Sequence, residues 1–251
     1  MSIPIITYHA IGEDASPLFT SCDSFKAHLE AFAKAGYRTI DLGQLNDFIG
    51  GPEPLPEDCI VLTFDDGYTS FLDRAFPLLQ QYGFSATVYL VSDYCGIDNQ
   101  WPGQKTSAPK LPLMSFDEIK SIAGNAVKIG CHTRSHSPLT KVSKSNLEQE
   151  LISSKQTIEQ RLGQRIETLA YPYGVTNKRV TDMARLHYTT AVTTRMGTND
   201  KRTDPLLMQR IDSYYLDSGL VSKLRDSSAF LYLETRNFLR TIKRILVKDY
   251  C

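Results

Sequence analysis

The sequence has no charge surplus: 28 Lys and Arg residues balance 28 Asp and Glu residues. A chain without a basic excess lacks the electrostatic footprint of a polyanion binder, so nucleic acid is not an expected partner. No run of about 18 apolar residues occurs, which argues against a membrane-spanning helix. Met1 to Tyr8 carries no basic n-region, and its apolar run is too short for a secretory signal. Cysteine is scarce and odd in number: Cys22, Cys59, Cys95, Cys131 and Cys251 show no C-x-x-C spacing and suit reduced thiols rather than a disulfide framework. These absences make a cytoplasmic location the expectation. Gly (15) and Pro (12) are too few for a collagen-like or low-complexity chain, and no internal repeat is present.

What the sequence does contain is a regular alternation of short β-branched runs with helical patterns. Ile3 to Tyr8 reads as a strand, and Phe25, Leu29 and Phe32 mark a helix that Gly36 stops before a short run at Tyr37 to Ile40. Cys59 to Phe64 is a compact apolar run, as expected of a strand buried on both faces. Leu72, Phe76, Leu79 and Tyr82 give a helix closed by Gly83, and Ser85 to Val91 the next strand. Ser115 and Glu118 form a capping box. Further strands are expected at Val127 to Cys131, Glu167 to Tyr171, Tyr188 to Thr193 and Met208 to Ile211, with a long amphipathic helix through Leu147, Leu151, Ile158 and Leu162. At 251 residues, this alternation predicts an α/β fold with a parallel sheet closed or nearly closed into a barrel. The segment from Asp93 to Met114 is long enough for a functional loop.

Three local signals fall at strand ends. Thr63-Phe64-Asp65-Asp66-Gly67-Tyr68 places two adjacent carboxylates after an apolar strand, where they are costly unless a cation, hydrogen bonds or water compensates them. In His132-Thr133-Arg134-Ser135-His136 two imidazoles can reach one divalent ion, which a carboxylate from elsewhere would complete. Ala170-Tyr171-Pro172-Tyr173-Gly174 is the third. Each alone reads better as a solvated turn or a surface loop than as a site. Together they share one face, because the strand C-termini of a parallel barrel lie on the same side.

This order of motifs resembles the polysaccharide deacetylase family, the NodB-homology fold of carbohydrate esterase family 4, and in particular its Tyr-Pro-Tyr-Gly branch of poly-N-acetylglucosamine deacetylases. The resemblance runs from Tyr8-His9 to Arg210-Ile211-Asp212. It implies a distorted parallel (β/α) barrel of about seven strands that removes N-acetyl, or less often O-acetyl, groups from sugars. It also implies Asp66, His132 and His136 as ligands of a divalent metal, Asp65 as the general base, and the backbone N–H of Tyr173 as an oxyanion donor. Zinc suits such a ligand set, as do cobalt, nickel and iron.

Two departures stand out. Ala170 occupies the position where typical members carry an Arg that orients the base, and Arg210 is the candidate replacement. No His follows His187, although typical members place a general acid near the C-terminus; His9 is the substitute considered, since His28 lies on a helix and His187 at a helix end. Tyr68, Trp101 and Tyr171, with Tyr173, are candidate sugar contacts. Residues 1–225 are expected to form the barrel and 226–251 an amphipathic helix, with Arg236, Arg240, Lys243 and Arg244 on one stripe and Phe238, Ile242 and Ile245 on another; this pattern suits packing on the barrel or peripheral contact with an anionic membrane. Competing readings are a catalytically impaired carbohydrate-binding relative and an amidohydrolase acting on a non-sugar amide.

Overall fold

The structure, a computed structural model, describes residues 1–216 apart from 15, 17, 105, 106 and 125, together with residues 220, 221, 224 and 235. In chain order its elements are β1 (Ile3–Tyr8), β2 (Ala10–Ile11), β3 (Phe19–Thr20), α1 (Cys22–Lys34), β4 (Arg38–Thr39), α2 (Leu42–Gly50) and β5 (Cys59–Phe64). A π-turn at Phe71–Ala75 leads into α3 (Phe76–Tyr82), followed by β6 (Ala86–Leu90), α4 (Phe116–Ile122), β7 (Val127–Cys131) and α5 (Lys144–Glu148). A second π-turn, Gln149–Ser153, joins α5 to α6 (Ser154–Leu162). Then come β8 (Thr168–Ala170), α7 (Lys178–His187), β9 (Thr190–Val192), β10 (Thr198–Asn199) and β11 (Ile211–Asp212).

Seven strands run parallel in the order β11-β1-β5-β6-β7-β8-β9 and form a curled sheet. A single parallel bridge between Val192 and Met208, with the pairing of Ile211 to Ile6, brings the two ends of the sheet together. The late strand expected at Met208 to Ile211 therefore lies further along, at Ile211–Asp212. Strands β8 and β9 are also shorter than the runs Glu167 to Tyr171 and Tyr188 to Thr193 suggest.

Strand parity decides what faces the interior. On β5, Ile60, Leu62 and Phe64 pack outward with Phe25, Leu29 and Leu79 of the helices. Cys59 and Val61 point the other way, into a cluster with Ile3, Ile5, Tyr89, Ala170 and Val192. A strand buried on both faces cannot alternate polar and apolar residues, which is why all six positions of β1 and of β5 are buried. Continuing the same parity past the strand ends turns Asp65, His9 and His132 inward, onto the C-terminal face.

The helices begin and stop where local chemistry dictates. Ser21 caps α1 by accepting from the Ser24 N–H, and the expected box of Ser115 and Glu118 is formed at α4. The helix expected through Leu147 to Leu162 is present as one helical run over residues 144–162, widened at its middle by the π-turn between α5 and α6. The segment after β6 is less structureless than its composition suggests: Asn99 accepts from the Leu111 N–H and donates to the Pro109 carbonyl, so the loop packs on itself. Among the described residues no helix is long and apolar enough to cross a membrane. Of the expected C-terminal helix only Thr235 is described; Arg236, Arg240, Lys243 and Arg244 lie outside the described residues, as does the proposed boundary at 225/226.

Candidate active site

Backbone strain is concentrated at the strand ends. Among the described residues, the non-glycine residues with positive φ are Asp66 (72°), Thr133 (69°), His136 (57°) and Tyr173 (60°). All four belong to the three motifs. Such conformations cost of order 1–3 kcal/mol each and persist only where the surroundings impose them, so their clustering is evidence for a functional centre. Gly67 (φ 76°) continues the turn that Asp66 begins, letting adjacent carboxylates take different directions from the end of β5.

Asp66, His132 and His136 converge. Their ligand atoms lie within 4.8 Å of one another, with Asp66 Oδ1 3.5 Å from His132 Nε2 and 3.6 Å from His136 Nε2. His132 Nδ1 is 2.8 Å from the Ala170 carbonyl; since a carbonyl only accepts, Nδ1 carries the proton and Nε2 presents its lone pair. All three side chains are buried, and Asp66 Oδ1 has no hydrogen-bond partner. Burial pushes the Asp66 pKa up, and burial with the neighbouring His132 pushes that of His136 down. A buried carboxylate oxygen without a hydrogen bond, facing two imidazole nitrogens, is a donor set that suits a divalent cation.

Asp65 takes the other direction. Arg210 Nη1 and Nη2 each donate to it at 2.7 Å, one to Oδ1 and one to Oδ2, with both side chains buried. Burial alone would raise the Asp65 pKa; the Arg210 charge and hydrogen bonds, helped by His132 and His9, outweigh it and hold the carboxyl below its ordinary range. Arg210 is fixed in turn, its Nε donating to the Thr193 carbonyl at 2.9 Å and its Nη1 to Thr63 Oγ1 at 3.3 Å. Thr63 opens the first motif but is assigned no role in the sequence reading. Its signal was available: it is the lone polar residue within an apolar strand, two positions before Asp65 and on the same face. His9 Nε2 stands 3.9 Å from Asp65 Oδ2, and its side chain is 27% exposed.

The aromatic expectations are largely corrected. Tyr68, Trp101 and Tyr171 are buried and offer no open ring face to a sugar. Tyr171 follows the inward Ala170 and so points to the helix side of the sheet, within the outer core. Tyr68 lies beneath the loop, where its hydroxyl accepts from Asn99. Trp101 packs instead on His136, with ring centroids 4.3 Å apart at 35°. Tyr173 is the exposed member, at 38%, edge-on to His136 at 4.7 Å. His28 is occupied elsewhere, between the Tyr8 hydroxyl and the Leu216 carbonyl, and His187 ends α7.

Comparison with known proteins bears on the same region. A sequence model described as polysaccharide deacetylase matches residues 53–192, more than half of the chain. The putative polysaccharide deacetylase YxkH of Bacillus subtilis (strain 168) is 25% identical over 210 residues, covering 83% of this chain and 70% of that protein. The poly-beta-1,6-N-acetyl-D-glucosamine N-deacetylase of Escherichia coli (strain K12) is 37% identical over 84 residues, 32% of this chain but only 12% of that much longer protein. Among solved structures, the Streptococcus pyogenes deacetylase PplD, determined in complex with acetate, superposes with a TM-score of 0.76 at 23% identity, covering 93% of this chain and 98% of that one. That likeness establishes the shared fold.

Proposed function

The chain belongs to the polysaccharide deacetylase family, and from that premise we propose that it is a metal-dependent hydrolase that removes N-acetyl groups from N-acetylglucosamine units of a glycan. The observation that carries the proposal is the juxtaposition of an ionised, Arg-held Asp65 with the buried set of Asp66, His132 and His136. A divalent ion held by Asp66, His132 and His136 would acidify water and polarise the acetyl carbonyl.

The chain's own groups supply the rest. Asp65 takes a proton from the attacking water as the new C–O bond forms, and Arg210 keeps it ionised until then. The Tyr173 N–H, in the strained turn after β8, is proposed to donate to the oxyanion, a role that requires no side chain. His9, beside Asp65 and partly exposed, protonates the departing sugar amine as the C–N bond breaks. Acetate and a free amine are the products. A binding-only relative would have no use for a bidentate Arg on a carboxylate that neighbours the ligand set.

The test is acetate release from a panel of N- and O-acetylated sugars and β-1,6-linked N-acetylglucosamine oligomers, with the protein metal-free or loaded with zinc or cobalt. Release from the N-acetylated members that depends on metal is the expected result. Metal-independent release, or none from any N-acetylated member, would overturn the proposal.

A further inference from the structure

We propose that Glu150 is a positioning residue that holds the His132–His136 loop in its ligand-presenting shape, aimed there by the π-turn at Gln149–Ser153; this rests on reading those imidazoles as metal ligands. Glu150 is buried in the middle of the helical run that carries Leu147, Leu151 and Ile158 into the core. Its carboxylate turns to the loop. Oε2 accepts from the N–H groups of Arg134 (3.0 Å) and Ser135 (2.9 Å), and Oε1 from the Ser135 hydroxyl (2.5 Å). These residues lie between Thr133 and His136, both held at positive φ. Charge-assisted bonds to two successive backbone N–H groups are what such a turn needs to persist.

The π-turn has its own support. An extra residue in a helix disturbs the backbone ladder, and the displaced carbonyls must find other donors if they are buried. Ser154 Oγ donates to the Glu150 carbonyl at 2.5 Å, and the Tyr188 hydroxyl donates to the Leu151 carbonyl at 2.6 Å. Ser154 also lies 3.1 Å from Cys131 Sγ, which accepts from the Thr133 N–H at 3.3 Å. Two routes thus run from the π-turn to the loop: through Glu150 to Arg134 and Ser135, and through Ser154 and Cys131 to Thr133. The bonds of the Glu150 carboxylate go to Arg134 and Ser135, so it acts on the imidazoles through the loop. Partners that orient metal ligands are worth about 10–100-fold in affinity.

The chain's single tryptophan, Trp101, packs on His136 and gives a local optical reporter. Metal-free wild type, Glu150→Ala and Glu150→Gln are titrated with zinc and cobalt by calorimetry and Trp101 fluorescence, and the thermal midpoint of each metal-free protein is measured. Glu150→Gln keeps an acceptor for both N–H groups, while its amide can donate to the Ser135 hydroxyl. We expect Glu150→Ala to bind about 10–100-fold more weakly, with an altered Trp101 signal before metal is added, and Glu150→Gln to bind close to wild type. Unchanged affinity in Glu150→Ala would overturn the proposal. If Glu150→Ala does not fold, Glu150→Asp, which keeps the charge but falls one methylene short, must bind more weakly than wild type; equal binding overturns it. A wild-type chain that binds neither ion would instead sink the metal reading itself, and this inference with it.

Discussion

Arg210 grips Asp65 with two parallel hydrogen bonds of 2.7 Å, although 145 residues separate them in the sequence. Both groups are buried, so neither is satisfied without the other. Removing one partner of a buried pair costs about 3–5 kcal/mol because it strands the other charge. Arg210→Ala is expected to lose stability of that order in urea unfolding, and the acidic limb of its kcat/KM profile should move to higher pH as Asp65 becomes easier to protonate. An Arg210→Ala protein with wild-type stability and profile would separate the pair from both fold and chemistry.

The same pair fixes the sign of one pH dependence. The folded pKa of Asp65 lies below its unfolded value, so the folded state binds this proton less readily. Its stabilisation is complete above the unfolded value of about 3.9 and is lost as pH falls through the lower folded value. Wild type should therefore lose stability with acid below about pH 4 more steeply than Asp65→Asn, which has no such group to titrate. Equal slopes in acid unfolding would contradict the depressed pKa.

For His9 the expectation separates leaving groups. If it protonates the departing amine, His9→Ala should slow N-acetyl hydrolysis by about 100-fold or more and remove the basic limb of the profile. Hydrolysis of an activated aryl acetate, whose leaving group needs no proton, should change far less. Equal losses on both substrates would assign His9 to structure.

Gly130 stands where β7 crosses the interior beside Tyr89, whose hydroxyl meets Thr168 Oγ1 at 2.9 Å. An added Cβ would collide with the Tyr89 ring and come within 2.9 Å of Thr168 Cγ2. Overpacking of this kind costs about 1–3 kcal/mol, and Gly130→Ala should show that loss in denaturant unfolding. A neutral effect would mean that the interior at Tyr89 has room to adjust.

Legibility of the sequence followed locality. Six-residue apolar runs were enough for β1 and β5, and the capping box at Ser115 was readable residue by residue, because each depends on near neighbours. Strand ends that share a face bring the three motifs together, but the choice of Asp66 with His132 and His136 as the ligand set rested on the resemblance to the polysaccharide deacetylase family. Arg210 could be nominated, but its bidentate grip on Asp65 is a relation between distant strands that no spacing encodes. The π-turn was hidden because Leu147, Leu151 and Ile158 keep a helical look on either side of one extra residue. Tyr68 and Trp101 went astray because an aromatic residue in a loop gives no sign of whether its ring lies under the loop or over it. Tyr171 was recoverable, since its neighbour Ala170 takes the inward position.

The most direct test compares wild type with Asp65→Asn, each loaded with metal, measuring bound metal and acetate release from an N-acetylglucosamine oligomer on the same sample. The expected result is near-equal metal content with hydrolysis reduced by about 100-fold or more. An Asp65→Asn protein that holds its metal and releases acetate at the wild-type rate would contradict the assignment of Asp65 as the base, and with it the central claim.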